Sequence, residues 1–274
     1  MSRLASRQRP PLSDEVRITA QSVERAYVVD RKRHLALRGV SLEIGTGRSI
    51  GIVGESGSGK STIAKILSGL DQPSSGLVDY NGLRVQQMVS NSSGRSEFRR
   101  HVQLIAQDTS SSFDPTRTLR NGMRAPAMRL RGLSREAADE VLDEVLDQLE
   151  VPADLADRKP NEVSGGQRQR CAIARAFVVR PRVLLCDEVV SALDVSVQGA
   201  VLNILKEYVT STGAGLAFVS HSMSATAFLV DEIVVMYQGE IVEHSSTEDL
   251  ISRPKHPYTR HLLAAAGGPV RAAL

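Results

Sequence analysis

The 274-residue chain carries 34 Lys and Arg against 31 Asp and Glu, a net charge of +3, with aromatic residues at only 4%. Charges of both signs are interspersed, so a nucleic-acid surface is not compelled and a modest attraction to anionic lipid is equally open. No stretch approaches the roughly 18 apolar residues that a membrane span requires, and Cys171 and Cys186, each inside an apolar run, are too few for a disulfide framework or a zinc or iron–sulfur site; they read as small buried side chains of a reducing compartment.

Residues 1–15 hold Arg3, Arg7, Arg9 and the pair Pro10-Pro11 without the apolar core of a secretion signal, which predicts a disordered basic tail. Val16–Ala20 and Val40–Ile44 alternate in the β-branched manner of strands, with Gly45 and Gly47 as the closing turn. Ser49–Val53 then reads as a short buried strand and Ile63–Leu67 as a helix with an apolar face. Between them lies Gly54-Glu55-Ser56-Gly57-Ser58-Gly59-Lys60-Ser61-Thr62, which matches G-x-x-x-x-G-K-[ST]. A loop of this kind bends a strand into a helix so that successive backbone N–H groups face phosphate oxygens. Glycines at 54, 57 and 59 permit positive φ and the close approach of a polyanion, and the helix N-terminus adds partial positive charge. Lys60 is placed to reach the β- and γ-phosphates and the Ser61 hydroxyl to bind Mg²⁺.

Beyond residue 67 the strand signals fade and the sequence turns helical, apart from Val102–Ala106 just before Gln107. Ser90–Ser96, rich in Ser, Asn and Gly, predicts an exposed loop. Ser134–Glu150 repeats apolar residues at helical spacing with Ser134 as N-cap. Ser164-Gly165-Gly166-Gln167 follows roughly a hundred residues after the glycine loop. Strand signals return at Val183–Cys186, which delivers Asp187 and Glu188 at its carboxyl end, at Gly215–Val219, followed by Ser220 and His221, and at Ile233–Tyr237. The alternation argues a parallel sheet covered by helices, with a helical insertion and a small β lobe in front.

With these motifs in this order, the chain resembles the nucleotide-binding subunit of ABC transporters from about Val16 to Leu263. The resemblance implies an α/β fold: a P-loop NTPase core with a mainly parallel sheet, an antiparallel β lobe and a helical subdomain at about residues 110–178. The nucleotide-binding domain is expected over 16–250. ATP and Mg²⁺ are the implied substrate and cofactor. Asp187 is expected to hold Mg²⁺ through water and Glu188 to polarise the attacking water; Gln107 is expected to reach both while linking core and helical lobe. His221 is similar to the histidine that contacts the γ-phosphate, Tyr27 to the aromatic that stacks on adenine, and Ser191-Ala192-Leu193-Asp194 to the loop that touches the other subunit. Ser164, Gly165, Gly166 and Gln167 are implied to bind the γ-phosphate of ATP held by the opposite subunit. The family usually has Pro where this chain has Val189, Asp where it has Ser222, and Pro where it has Thr109. None of these changes removes a catalytic group, so an active ATPase is expected.

Arg253-Pro254-Lys255-His256-Pro257-Tyr258-Thr259-Arg260 resembles the tail of the oligopeptide, dipeptide and nickel import group, and Gln107–Pro115 is similar to that group's glutamine loop. Residues 251–274 are accordingly expected to form a peptide-importer-type extension, with Thr259–Ala266 helical. His256 and His261 lack the accompanying cysteines or carboxylates of a metal site. The group implies two integral membrane permease subunits, a second ATP-binding subunit expected to be a paralogue, an extracytoplasmic substrate-binding protein acting indirectly, no nucleic acid, and a peripheral place on the cytoplasmic face of the cell membrane. The cargo, peptide or nickel or a metal chelate, is left open. A soluble ABC ATPase acting on nucleic acid or the ribosome is the alternative; the gap between the phosphate loop and Ser164 has no room for a long coiled coil, and one nucleotide domain is visible rather than two.

Overall fold

A computed structural model describes residues 15–265 except 30, 110, 111, 192 and 194, so the expectations for residues 1–14, Ala192, Asp194 and 266–274 lie outside the described residues. In chain order the elements are β1 (Arg17–Val29), β2 (Lys32–Gly45), β3 (Ser49–Val53), α1 (Lys60–Leu67), β4 (Ser75–Tyr80), β5 (Leu83–Arg84), α2 (Val85–Ser90), α3 (Ser92–His101) and β6 (Val102–Ile105). Helices α4 (Leu119–Arg131), α5 (Arg135–Gln148) and α6 (Ala153–Ala156), a 3-10 turn at Pro160–Glu162 and α7 (Gly165–Phe177) follow without a strand. The chain then runs through β7 (Val183–Asp187), α8 (Val195–Thr212), β8 (Gly215–Ser220), α9 (Met223–Leu229), β9 (Glu232–Tyr237), β10 (Glu240–Ser246), α10 (Thr247–Ser252) and α11 (Pro257–Ala265).

The strands form two sheets: a four-stranded antiparallel lobe in the order β2-β1-β4-β5, and a six-stranded sheet in the order β10-β9-β3-β8-β7-β6. All neighbours in the second sheet are parallel except β10, which pairs antiparallel with β9 at the edge. Strands β3, β7 and β8 are buried at every position, as near-continuous apolar runs in a sheet covered on both faces should be. Their side chains alternate between two cores. Leu184, Cys186, Leu216 and Phe218 face the core shared with α4, α5 and α7 to α9; Val183, Leu185, Ala217 and Val219 face the one shared with α1 and the β lobe. Cys171 and Cys186 are both buried thiols, and burial pushes the Cys171 pKa up to about 12.

Two expectations are corrected. The stretch after α1 does not lose its strands: β4 joins the lobe, pairing Ile18 with Tyr80 and Ala20 with Val78. Only Val78 and Tyr80 are buried in β4, so its one-sided pattern is too short to stand out against the helical sequence around it. Ser90–Ser96 is not a loop. Helix α2 ends at Ser90 and α3 starts at Ser92, with the Asn91 side chain accepting from Gly94 N–H at 2.7 Å and Phe98 fully buried. Ser and Asn serve loops and N-caps alike, because both uses depend on a short side chain bonding nearby backbone. Ser134 caps α5 as expected, accepting from Ala137 N–H at 3.2 Å.

Candidate nucleotide site

Strands β3, β6, β7 and β8 run parallel, so the loops after them leave the sheet at one edge, where ligands of open α/β sheets bind. After β3 comes the glycine loop. Gly54, Gly57 and Gly59 have φ of 152°, 81° and 101°. The loop also lies hard against its neighbours: a Cβ on Gly54 would stand 2.2 Å from Met236 O, and one on Gly59 2.5 Å from Ala36 O. Lys60 opens α1 and turns back under the loop, its ammonium donating to Gly54 O at 2.8 Å and Glu55 O at 2.6 Å. It is 4% exposed. Burial pulls its pKa down, and the negative charge of Glu188 and Asp187 opposes that shift in part.

Ser61 Oγ donates to Asp187 Oδ1 at 2.9 Å, joining the start of α1 to the end of β7. Burial pushes the Asp187 carboxyl above its ordinary range, and the bond from Ser61 offsets part of that. Glu188 follows with a left-handed backbone, φ 49°, fixed by its N–H to Val219 O at 2.9 Å. This turn aims its carboxylate at two neighbours: Gln107 Nε2 donates to Oε2 at 2.7 Å, and His221 Nδ1 lies 3.9 Å from Oε1. The structure thus brings Lys60, Ser61, Gln107, Asp187, Glu188 and His221 together at one edge. Thr62 is half-buried in α1, and Glu55, Ser56 and Gly57 present an exposed rim.

The remaining expected residues are engaged elsewhere. Ser164 caps α7: its Oγ accepts from Gln167 N–H at 3.2 Å while Gln167 Oε1 accepts from Ser164 N–H at 2.9 Å. This reciprocal cap satisfies two otherwise orphaned donors and leaves Ser164 and Gly165 exposed. Tyr27 donates its hydroxyl to Asp71 Oδ2 at 2.7 Å, and the Arg25 guanidinium lies 4.6 Å over its ring. Burial works against the Asp71 charge, but the bonds from Tyr27, Gln72 N–H and Arg25 prevail and hold its pKa below the usual range.

Each departure from the family pattern has a local role. Val189 is 1% exposed within the helical-side core. Thr109 is buried and its carbonyl accepts from Ser112 N–H at 3.2 Å. Ser222 caps α9, its Oγ accepting from Ala225 N–H at 3.3 Å, a task an Asp performs equally well.

Sequence reasoning missed two contacts at this edge. Ser191 Oγ donates to Glu188 O at 2.8 Å, bracing the turn that aims the carboxylate. Tyr258 Oη accepts from Glu55 N–H at 2.9 Å, across more than two hundred residues of chain. The first is a local contact within one turn, whereas only the topology reveals the second, although the presence of the Pro-Tyr segment was visible.

Among the described residues, no group of three or more His, Cys, Asp or Glu is arranged to hold a metal unaided. Ser61, Asp187 and Gln107 offer instead a sparse set of oxygen donors. That set fits a hard divalent cation such as Mg²⁺, which keeps several waters and takes the rest of its shell from phosphate. Among the described residues no helix is long and apolar enough to cross a membrane.

Residues 37–191 match the family model described as ABC transporter. The chain is 37% identical over 257 residues to the di/tripeptide transport ATP-binding protein DppF of Pseudomonas aeruginosa, spanning 92% of this chain and 79% of that one. It is 39% identical over 233 residues to the oligopeptide transport ATP-binding protein OppF of Lactococcus lactis, spanning 84% of this chain and 72% of that one. Among solved structures it is similar to the dimeric structure of MJ0796, a bacterial ABC transporter cassette, with TM-score 0.78, 28% identity, and 84% and 98% of the two chains covered. A post-hydrolysis dimer of the same cassette, bound to ADP and Pi, gives TM-score 0.77 at 27% identity, with the same coverage.

Proposed function

The chain belongs to the ABC transporter family, as an ATP-binding subunit that is an ATPase coupled to transport, and from that premise we propose that it energises the import of peptides. The observation that carries the reading is the convergence of Lys60, the Ser61–Asp187 pair and the Gln107–Glu188 pair on one sheet edge. Residues 16–250 form the nucleotide-binding unit in this reading, with 251–274 an extension of the peptide-importer type.

The phosphate loop cradles the polyphosphate with backbone N–H groups, and Lys60 exchanges its bonds to the Gly54 and Glu55 carbonyls for phosphate oxygens. Burial makes that exchange favourable, because an ammonium in a site that excludes water gains more from a polyanion than from neutral carbonyls. Ser61, Asp187 and Gln107 hold Mg²⁺, whose chemistry when bound is to neutralise charge on the β- and γ-phosphates. Glu188 accepts the proton of the attacking water. Gln107 fixes one oxygen of that carboxylate and leaves the other toward His221, which faces the γ-phosphate. Tyr27 stacks on adenine with the ring face that Arg25 does not cover.

Ser164, Gly165 and Gly166 serve the γ-phosphate bound by a second ATP-binding subunit, so each nucleotide is shared between two chains. Moving such a pair from 1:99 to 99:1 closed takes about 5.5 kcal/mol of differential binding, spread here over two bridging phosphates. Hydrolysis removes the bridge, and the opening is passed to two permease subunits at the cytoplasmic face of the membrane. Capture of the Glu188→Gln protein from membranes with ATP tests this reading. Two polytopic membrane proteins and a second ATP-binding chain are expected in the eluate; ribosomes or DNA-bound proteins in their place would overturn it.

A further inference from the structure

The segment entering α11 is anchored to the sheet by Glu243 of β10, a buried carboxylate whose two oxygens accept from Lys255 N–H at 2.8 Å and His256 N–H at 2.9 Å. Those bonds seat the first turn of α11 and bring Tyr258 against Tyr237, the last residue of β9, with ring centroids 4.2 Å apart. From there the Tyr258 hydroxyl reaches Glu55 N–H at 2.9 Å. The adjoining β9–β10 turn touches the same loop, with Gly239 N–H donating to Ser58 O at 3.1 Å.

The Glu55 residue is therefore held at both ends. Its N–H goes to Tyr258, and its carbonyl accepts from Lys60 at 2.6 Å and from Ser58 N–H at 3.2 Å. Lys60 is the charged partner that a polyphosphate competes for, because the loop carbonyls and the phosphate oxygens draw on the same ammonium. When Lys60 turns to phosphate, the Glu55 carbonyl loses its charged donor, whereas the bond from Glu55 N–H to Tyr258 does not involve Lys60. A loop kept in place during that exchange pays less ordering entropy on binding.

We infer that Tyr258 is a positioning residue for the phosphate loop: the C-terminal segment, clamped by Glu243, straps the Glu55 peptide in its nucleotide-binding geometry while Lys60 transfers its hydrogen bonds to the polyphosphate. The inference rests on the phosphate-loop reading, and its test separates the two. Tyr258→Phe keeps the ring against Tyr237 and deletes only the acceptor. In the full chain, its Kd for ADP should rise roughly three- to tenfold, the worth of about one hydrogen bond. Amide hydrogen exchange at Glu55 should accelerate by a similar factor, and KM for ATP should rise with kcat changed less than about twofold. Glu243→Gln should shift Kd in the same direction by loosening the strap at its root. Lys60→Ala, measured alongside, should lose ADP binding altogether. If it does and Tyr258→Phe changes neither Kd nor Glu55 exchange, the strap is wrong and the nucleotide site stands; if Lys60→Ala binds ADP like the parent, the phosphate-loop reading fails and takes the strap with it. The parent chain supplies a reading that needs no variant: without nucleotide the Glu55 amide should be protected from exchange to the degree of the α11 amides, and an unprotected Glu55 overturns the inference.

Discussion

At the edge where β3, β6, β7 and β8 end, three of the groups proposed to serve the nucleotide are gripped by residues far away in sequence, Ser61 by Asp187, Gln107 by Glu188 and the Glu55 peptide by Tyr258, while Lys60 is held by the nearby carbonyls of Gly54 and Glu55. At the start of α7, Ser164 and Gln167 grip each other within one turn, and Ser164 and Gly165 stand exposed. The first region is preorganised by the tertiary fold; the second is a local device that any stable helix start can make. The difference has a mechanistic sense. Groups that must hold a metal, a water and a proton in fixed relation need a rigid frame, whereas groups that meet a ligand carried by another chain need to be presented and left free. In the proposed reading, a chain built this way holds one finished half of a site and offers half of another.

The largest effect that sharpens this contrast is expected inside the preorganised half. Glu188→Gln should lower ATP turnover by about 10²- to 10⁴-fold, the usual worth of a general base, with nucleotide affinity retained; a Glu188→Gln protein hydrolysing ATP at the parental rate in a phosphate-release assay would remove that residue from its role. A smaller effect concerns pH. Burial raises the Asp187 pKa, so its proton competes with Mg²⁺ at higher pH than an exposed carboxylate's proton would. Mg²⁺-dependent nucleotide affinity should therefore fall several-fold as pH drops toward that raised value. The effect on folding has the opposite sign: a carboxyl with a raised folded pKa contributes stability that is fully present below its unfolded value of about 3.9 and lost as pH rises through the folded one. Titrating Mg²⁺ at a series of pH values checks the first statement, and urea midpoints of the unliganded chain check the second. The smallest effect belongs to local capping. Ser222→Ala should cost about 1 kcal/mol of stability and Ser222→Asp almost nothing, both read from denaturant midpoints.

The same contrast accounts for what was legible in the sequence. The glycine loop, the strand ending in Asp187 and Glu188, and the Ser164 helix start are short contiguous patterns whose chemistry is written in neighbouring residues, and the parallel sheet follows from the alternation of apolar strands with helices. Strand β4 was missed because its burial depends on β1, sixty residues earlier, and α3 because its Asn91 cap uses the residues a loop would use. The chain's departures at Val189, Thr109 and Ser222 became intelligible once the packing and caps around them were seen. Tyr258 shows the limit most clearly: the Pro-Tyr segment stands out as a pattern, but its contact with Glu55 exists only because β9, β10 and α11 bring the tail back to the phosphate loop.

The exposed half supplies the most direct test of the shared-site account. A Cβ at Gly165 meets nothing within 4 Å, so Gly165→Asp fits the fold while placing a negative charge where the partner's γ-phosphate is proposed to sit. The measurement is the ATPase rate of the assembled transporter carrying Gly165→Asp, taken beside ADP binding to this chain alone. The account predicts turnover reduced at least about tenfold, since like charges in a desolvated contact cost several kcal/mol, with ADP affinity of the chain unchanged. Parental turnover, or a loss of ADP affinity in the isolated chain equal to the loss of turnover, would contradict it.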